Sequence, residues 1–170
     1  KLLQLSVWPA LRPLFGRLAY PAAYTTSLLL LLLGSFYLGL VHLPTWLAIA
    51  PLLVLLGAEI AWRRYSRAEW EGVAKWDLVF LVFFLFVLEL RFFNPYVSHF
   101  SEQFMDLGWV ASIMRNPIVT PLDPWFAGGT LDIYYYLGHW LMAQLGLVAG
   151  VPARVVFNLV LPTVMAISAV

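Results

Sequence analysis

Five of the twelve acids and histidines, groups able to do proton or metal chemistry, fall in one stretch of the chain. Residues 94–133 hold Glu102, Asp106, Asp123 and Asp132, four of the nine acids, together with His99 and Arg115. Glu102 and Asp106 are one helical turn apart. The segment Ser101–Arg115 predicts a short helix, capped by Ser98 or Ser101 and stopped by Asn116-Pro117. At about 100° per residue, Glu102, Asp106, Trp109 and Ile113 share one face, flanked by Met105 and Val110. Gly108, Ala111, Ser112 and Arg115 occupy the other side. The carboxylates therefore lie on the bulky apolar side, the reverse of a solvated charge face. Two like charges at this spacing repel by about 0.2–0.5 kcal/mol when exposed, and more as the dielectric falls. Protonation of one carboxyl, or a cation held between the two, relieves that repulsion. Such a pair suits a general base or a metal-anchoring site. It also suits the plain preference of a helix N-terminus for acids.

Downstream, Pro121-Leu-Asp-Pro-Trp-Phe-Ala-Gly-Gly129 reads as a turn-rich loop. Asp-Pro initiates a turn and Gly128-Gly129 permits positive φ, so Asp123 is a turn residue before it is a ligand. Trp125 and Phe126 are of the type that anchors at a membrane interface. Asp132, Tyr135, Tyr136 and His139 then enter the fourth apolar helix at i, i+3, i+4 and i+7, which is one stripe. Tyr134 reads as part of an aromatic belt. His139 is either a packed, hydrogen-bonded histidine or a functional one, because polar groups at membrane depth are costly. Glu89 and Arg91 close the third apolar segment, where they snorkel or face the bundle.

The elements that must position these residues follow from composition. The chain is 62% hydrophobic and 11% charged, with mean hydropathy +0.84. Soluble domains are roughly 45–50% apolar and about 25% charged, so the expected solvent is lipid. Continuous apolar runs without period-2 alternation predict helices. The fold class expected is all-α: a polytopic transmembrane helix bundle of about five spans, over 22–41, 46–62, 76–93, 134–149 and 155–170. An outer loop, 94–133, carries the short amphipathic helix. Pro44-Thr45 links the first two spans, Pro51 predicts a kink in the second, and Gly150-Val151-Pro152 ends the fourth. Residues 1–21, with Arg12 and Arg17 among leucines, are the tail of an earlier helix plus its loop, or an interfacial amphipathic helix. Lys1 in place of Met, and the unflanked apolar end at Val170, predict that 1–170 is one membrane-embedded region from a longer chain.

Basic residues set the expected orientation. With the loop 63–75 in the cytoplasm, Lys1, Arg12, Arg17, Arg63, Arg64, Arg67, Lys75 and Arg154 lie inside. Arg91 and Arg115 lie outside, eight against two. The loop 94–133 is then extracytoplasmic in a multi-pass cell-membrane protein. A net charge of +1 gives no case for nucleic acid. Without cysteine there is no disulfide or thiolate metal site. No phosphate-binding glycine loop, HExxH or GxSxG occurs.

The run FNPYVSHFSEQFMDLGWVASIMRNPIVTPLDPWFAGGTLDIYYYLGH, followed by GVPARVVFNLVLPT, resembles the archaeal and Chloroflexi "YYY" membrane protein family, the domain of unknown function DUF2298. The likeness is strongest from Arg91 to Pro162. Its specificity lies in the set: Glu-x-x-x-Asp, Asp-Pro-Trp, the tyrosine triplet and Phe-Asn-Leu. The layout in turn looks like the GT-C membrane glycosyltransferases, although those often carry adjacent acids where Glu102 and Asp106 are a turn apart. The resemblance implies a transferase that uses a polyprenyl-phosphate-linked sugar on the outer face and an acceptor glycoprotein or glycolipid. It implies a catalytic or metal-associated role for Glu102 or Asp106, with magnesium or manganese as the cation, and a second acid at Asp132. Tyr135, Tyr136 and His139 would line the cavity, and Arg115 or His99 would meet the leaving phosphate. A transporter or flippase for a lipid or polar solute, with the acids as gate, is the alternative from another class. A non-catalytic scaffold is the third.

Overall fold

The computed structural model describes residues 1–62, 64–97, 102–132 and 136–170. His99, Tyr135 and Tyr134 lie outside them, as do the proposed capping serines Ser98 and Ser101. Among the described residues the regular structure is helical: α1 (Leu2–Phe15), α2 (Ala19–Leu40), α3 (Ile49–Ala61, entered through a 3-10 turn at Thr45–Ala48), α4 (Arg67–Phe93), α5 (Glu102–Arg115), α6 (Tyr136–Ala149) and α7 (Ala153–Ala169). One isolated antiparallel bridge joins Leu122 to Thr130.

Solvent preference is inverted relative to a water-soluble fold. Leu29, Leu33, Leu85, Phe86 and Leu161 are exposed, while Ser27, Ser35, Thr45 and Gln144 are buried. Exposed apolar side chains over buried polar ones are what lipid as solvent selects. α2 shows how this is done. Its buried stripe is Ala19, Ala23, Ser27, Leu31, Ser35 and Gly39 with Tyr20 and Tyr24, and small residues let neighbouring helices approach closely. Its 22 residues rise about 33 Å at 1.5 Å each, against a hydrocarbon core of about 30 Å.

The helical run Leu2–Leu40, 39 residues, is long and apolar enough to cross a membrane. It is not one straight rod. Gly16 sits at φ 52°, a conformation glycine adopts without steric cost, and α1 folds back on α2 there. Gln4 Nε2 donates to the Tyr20 carbonyl at 3.2 Å. Along a straight helix those residues would be about 24 Å apart. Leu2–Phe15 is thus helical and the connection is confined to Gly16–Leu18. The loop after α3 clamps α1: Arg12 Nη1 donates to the Arg64 carbonyl at 2.7 Å, and the Tyr65 hydroxyl to the Leu5 carbonyl at 2.7 Å. Burial holds the Tyr65 phenol above its usual range, with Glu59 adding to the effect.

Three expectations change. Pro51 makes no kink: it is the third residue of α3, where a missing backbone N–H costs nothing. Five spans are not confirmed by length and composition. Thr45–Ala61 is a shorter apolar helix, and α6 and α7 qualify only as a pair bent by 115° at their break. α4 is 27 residues long, but Lys75, Asp77, Glu89 and Arg91 bracket its apolar stretch. The third change concerns Arg154. Arg91 Nε donates to Asn158 Oδ1 at 2.7 Å, and Asn158 Nδ2 donates to the Arg154 carbonyl at 2.8 Å. Arg154 therefore lies at the Arg91 end of the bundle. The charge bias weakens to seven against three, and α6 need not carry the chain from one side to the other.

Candidate functional site

The rotational setting of α6 originates at Trp140. Its side chain is fully buried and fits where α2 has no side chain: a Cβ on Gly39 would come within 2.7 Å of the indole. Trp140 Nε1 donates to Ser35 Oγ at 3.0 Å. The neighbouring residue on α6, His139, projects about 100° away from that contact, toward α5. α5 is held against α6 by Val110 and Ile113, both fully buried with Tyr136 and Ala143. Gly146 permits the approach lower down, since a Cβ there would meet Val156 at 2.6 Å and Met114 at 2.9 Å.

This packing joins two of the expected site residues. His139 Nε2 lies 3.1 Å from Asp106 Oδ1, with side chains 14% and 31% exposed. Trp109 stands edge-on to the imidazole, centroids 5.1 Å apart at 88°. His139 Nδ1 is buried and has no hydrogen-bond partner among the described residues. That asymmetry selects a tautomer. With the proton on Nε2, the imidazole donates to the carboxylate and leaves Nδ1 as a bare acceptor. A proton on Nδ1 would be a buried donor without an acceptor, which is costly. His139 therefore stands behind Asp106, and the more exposed carboxylate faces outward.

The turn-rich loop covers the small-residue side of α5. Ser112 Oγ donates to the Leu122 carbonyl at 2.6 Å. Gly108 faces Trp125, whose Nε1 would be 3.3 Å from a Cβ there, and Phe104 packs edge-on to Trp125. Asp123 Oδ1 accepts the Trp125 backbone N–H at 2.8 Å. Its own N–H donates to the Gly129 carbonyl at 3.0 Å, so Asp123 works as a turn residue. The side of α5 expected to be small and polar is thus packed against protein.

The other expected residues are dispersed. Glu102 is exposed at the start of α5, a turn from Asp106, and no ion pair ties it to another described residue. Asp132 is exposed and precedes α6 outside any helix, so the helical stripe does not extend back to it. Tyr136 is packed in the α5–α6 core. Arg115 is exposed in the last turn of α5, nine residues on and about 13 Å of helix rise from Asp106. Among the described residues no group of three potential ligands surrounds a common point.

A second polar cluster was not anticipated from the sequence. Asp77 Oδ1 accepts from Tyr20 at 2.7 Å, from Tyr24 at 2.8 Å, and from Lys1 in an ion pair. Lys1 Nζ also donates to the Tyr24 and Tyr20 hydroxyl oxygens at 2.7 and 3.0 Å. The usable signal was an acid next to an unbroken apolar run, which needs partners, and two tyrosines at i,i+4 to supply them.

No curated protein and no solved structure matches the chain. Residues 25–170 match the family described as uncharacterized membrane protein, DUF2298, and the chain belongs to that family.

Proposed function

We propose that the chain carries the acceptor-activating end of a membrane glycosyltransferase resembling the GT-C type, working on the extracytoplasmic face with a polyprenyl-phosphate-linked sugar donor. The observation that carries the reading is the Asp106–His139 contact at 3.1 Å. It holds a half-exposed carboxylate at the junction of the polar segment with an apolar helix. In this reading an acceptor hydroxyl oxygen attacks the anomeric carbon. The bond from that carbon to the phosphate oxygen breaks, the phosphate leaves with the electron pair, and Asp106 takes the acceptor proton. His139 is a positioning residue: its Nε2–H fixes one carboxylate oxygen and leaves the other for the acceptor. Glu102 lies one turn away on the same helix. A divalent cation, magnesium or manganese, would be held by Glu102 and Asp106 and would offset charge on the leaving group. Arg115 and His99 remain the proposed phosphate partners. Asp132, Tyr135 and Tyr136 remain the proposed sugar-proximal groups.

The test uses the full-length protein in its host membrane. Asp106→Asn is expected to lower transfer of sugar to the acceptor glycoprotein or glycolipid sharply, with normal protein levels. Unchanged cell-surface glycosylation in Asp106→Asn and Glu102→Gln overturns the reading. One observation favours the transporter alternative: α6 and α7 form a broken pair bent by 115°, and discontinuous helices build substrate sites in transporters. Solute or lipid movement across proteoliposomes that requires Asp106 but no sugar donor would select it. Retained partner binding without either activity would select the scaffold.

A further inference from the structure

A cavity of about 470 Å³ lies between α1, α2, α4, α6 and α7. Ligand sites of drug-sized molecules are about 300–1,000 Å³. The walls given by α6 and α7 are apolar, apart from Thr163, whose hydroxyl is spent on the Leu159 carbonyl at 2.7 Å. Polar lining comes from Lys1, Gln4, Tyr24 and Ser27. Asp77, one turn before the lining Phe80 on α4, is ion-paired with Lys1. Both members of that pair are open to approach, 48% and 37% exposed. Gly138 lines the cavity and has nothing within 4 Å of where a Cβ would stand, so the space there is unfilled by protein.

We propose that this cavity holds one hydrocarbon chain of a zwitterionic phospholipid, whose headgroup is read by the Lys1–Asp77 pair. The chain belongs to a membrane family, so the abundant apolar occupant is lipid. The headgroup choice follows from charge. Lys1 and Asp77 present opposite signs side by side. A headgroup with a phosphate and an ammonium gives each a partner: phosphate to Lys1 Nζ, ammonium to the Asp77 carboxylate. A purely anionic headgroup meets Asp77 as a like charge, and a neutral one satisfies neither. This site shares no residue with Asp106 or His139 and does not depend on the transferase reading.

The test is lipid retention by the full-length protein in native mass spectrometry, after exposure to phosphatidylethanolamine, phosphatidylglycerol or diacylglycerol. The expected result is one retained phosphatidylethanolamine, preferred over phosphatidylglycerol by about fivefold, the factor one half-exposed ion pair provides. Asp77→Asn should erase that preference while lipid is still held. Gly138→Phe should empty the site for all three lipids. Loss of a helical glycine favours folding, and a second filling variant, Leu145→Trp, guards against a local failure. Equal retention of the three lipids by the unmodified protein overturns the proposal. So does phosphatidylethanolamine retention unchanged in both folded filling variants, or a cavity occupied by another segment of the same chain.

Discussion

Asp106 on α5 and His139 on α6, 33 residues apart in the chain, meet through one hydrogen bond of 3.1 Å. The contact is fixed from both sides. Trp140 anchors α6 on α2, and Val110 and Ile113 anchor α5 on α6. The acid is consequently held by the fold rather than by its own loop.

Removing the carboxylate should act on chemistry more than on folding. Asp106→Asn is expected to lower transfer by about 10²–10⁴-fold, the usual worth of a general base, with normal expression and melting temperature. A donor-dependent sugar-transfer assay on purified protein checks it.

If His139 positions Asp106, a substitute that keeps the N–H should restore what a substitute that loses it removes. His139→Phe preserves the ring and should cost about 10–100-fold, the order expected for a small misplacement. His139→Gln offers an amide N–H at similar reach and should recover most of it. Equal losses in the two variants would mean that the histidine only packs.

The α2–α6 joint should dominate local stability. Trp140→Ala is expected to cost about 3–5 kcal/mol, and Ser35→Ala about 0.5–1.5 kcal/mol. Gly39→Val forces a clash with the indole and should destabilise comparably to Trp140→Ala. Denaturation in mixed micelles measures all three.

Arg154 and Asn94 should be reached from the same face of the membrane, because Arg91 bonds to both Asn158 and the Asn94 carbonyl. The chain has no cysteine, so single-cysteine variants start from a clean background. Arg154→Cys and Asn94→Cys should react together with an impermeant maleimide, and Arg64→Cys from the opposite face. Labelling of Arg154→Cys together with Arg64→Cys would mean that the Arg91–Asn158 contact does not form in the bilayer.

Asp123 should tolerate replacement by another acceptor. Asp123→Asn keeps the bond to the Trp125 N–H and should leave activity intact. Asp123→Ala loses it, at about 1 kcal/mol by analogy with a lost cap. Equal activity loss in Asn and Ala variants would instead make Asp123 a ligand.

Local patterns were legible where they sufficed. α5 runs Glu102–Arg115, because helical periodicity and the Asn-Pro stop agree there. Asp123 as a turn residue and the shortness of α6 were equally readable. What was not readable depends on contacts distant in sequence. The pairing of Asp106 with His139, rather than with Glu102 or Asp132, needs Trp140 seated on Gly39. Arg154 was placed with the inner residues because loop charge counting assumes that each apolar segment crosses. The fold of α1 onto α2 turns on a single φ at Gly16, which hydropathy does not register. Lys1, Tyr20, Tyr24 and Asp77 are brought together only by the packing of α1, α2 and α4.

The bend between α6 and α7 has a consequence for biogenesis. The break satisfies its own backbone: the N–H of Val151 reaches the Gly146 carbonyl, and those of Val155 and Val156 reach the Pro152 carbonyl. A 14-residue helix is too short to be partitioned into lipid by itself. α6 must therefore be admitted by surfaces already in place on α2 and α5, after both have left the ribosome. Substitutions in the Gly39–Ser35 notch should then show up first as failed insertion of the C-terminal third, before any loss of turnover is measurable.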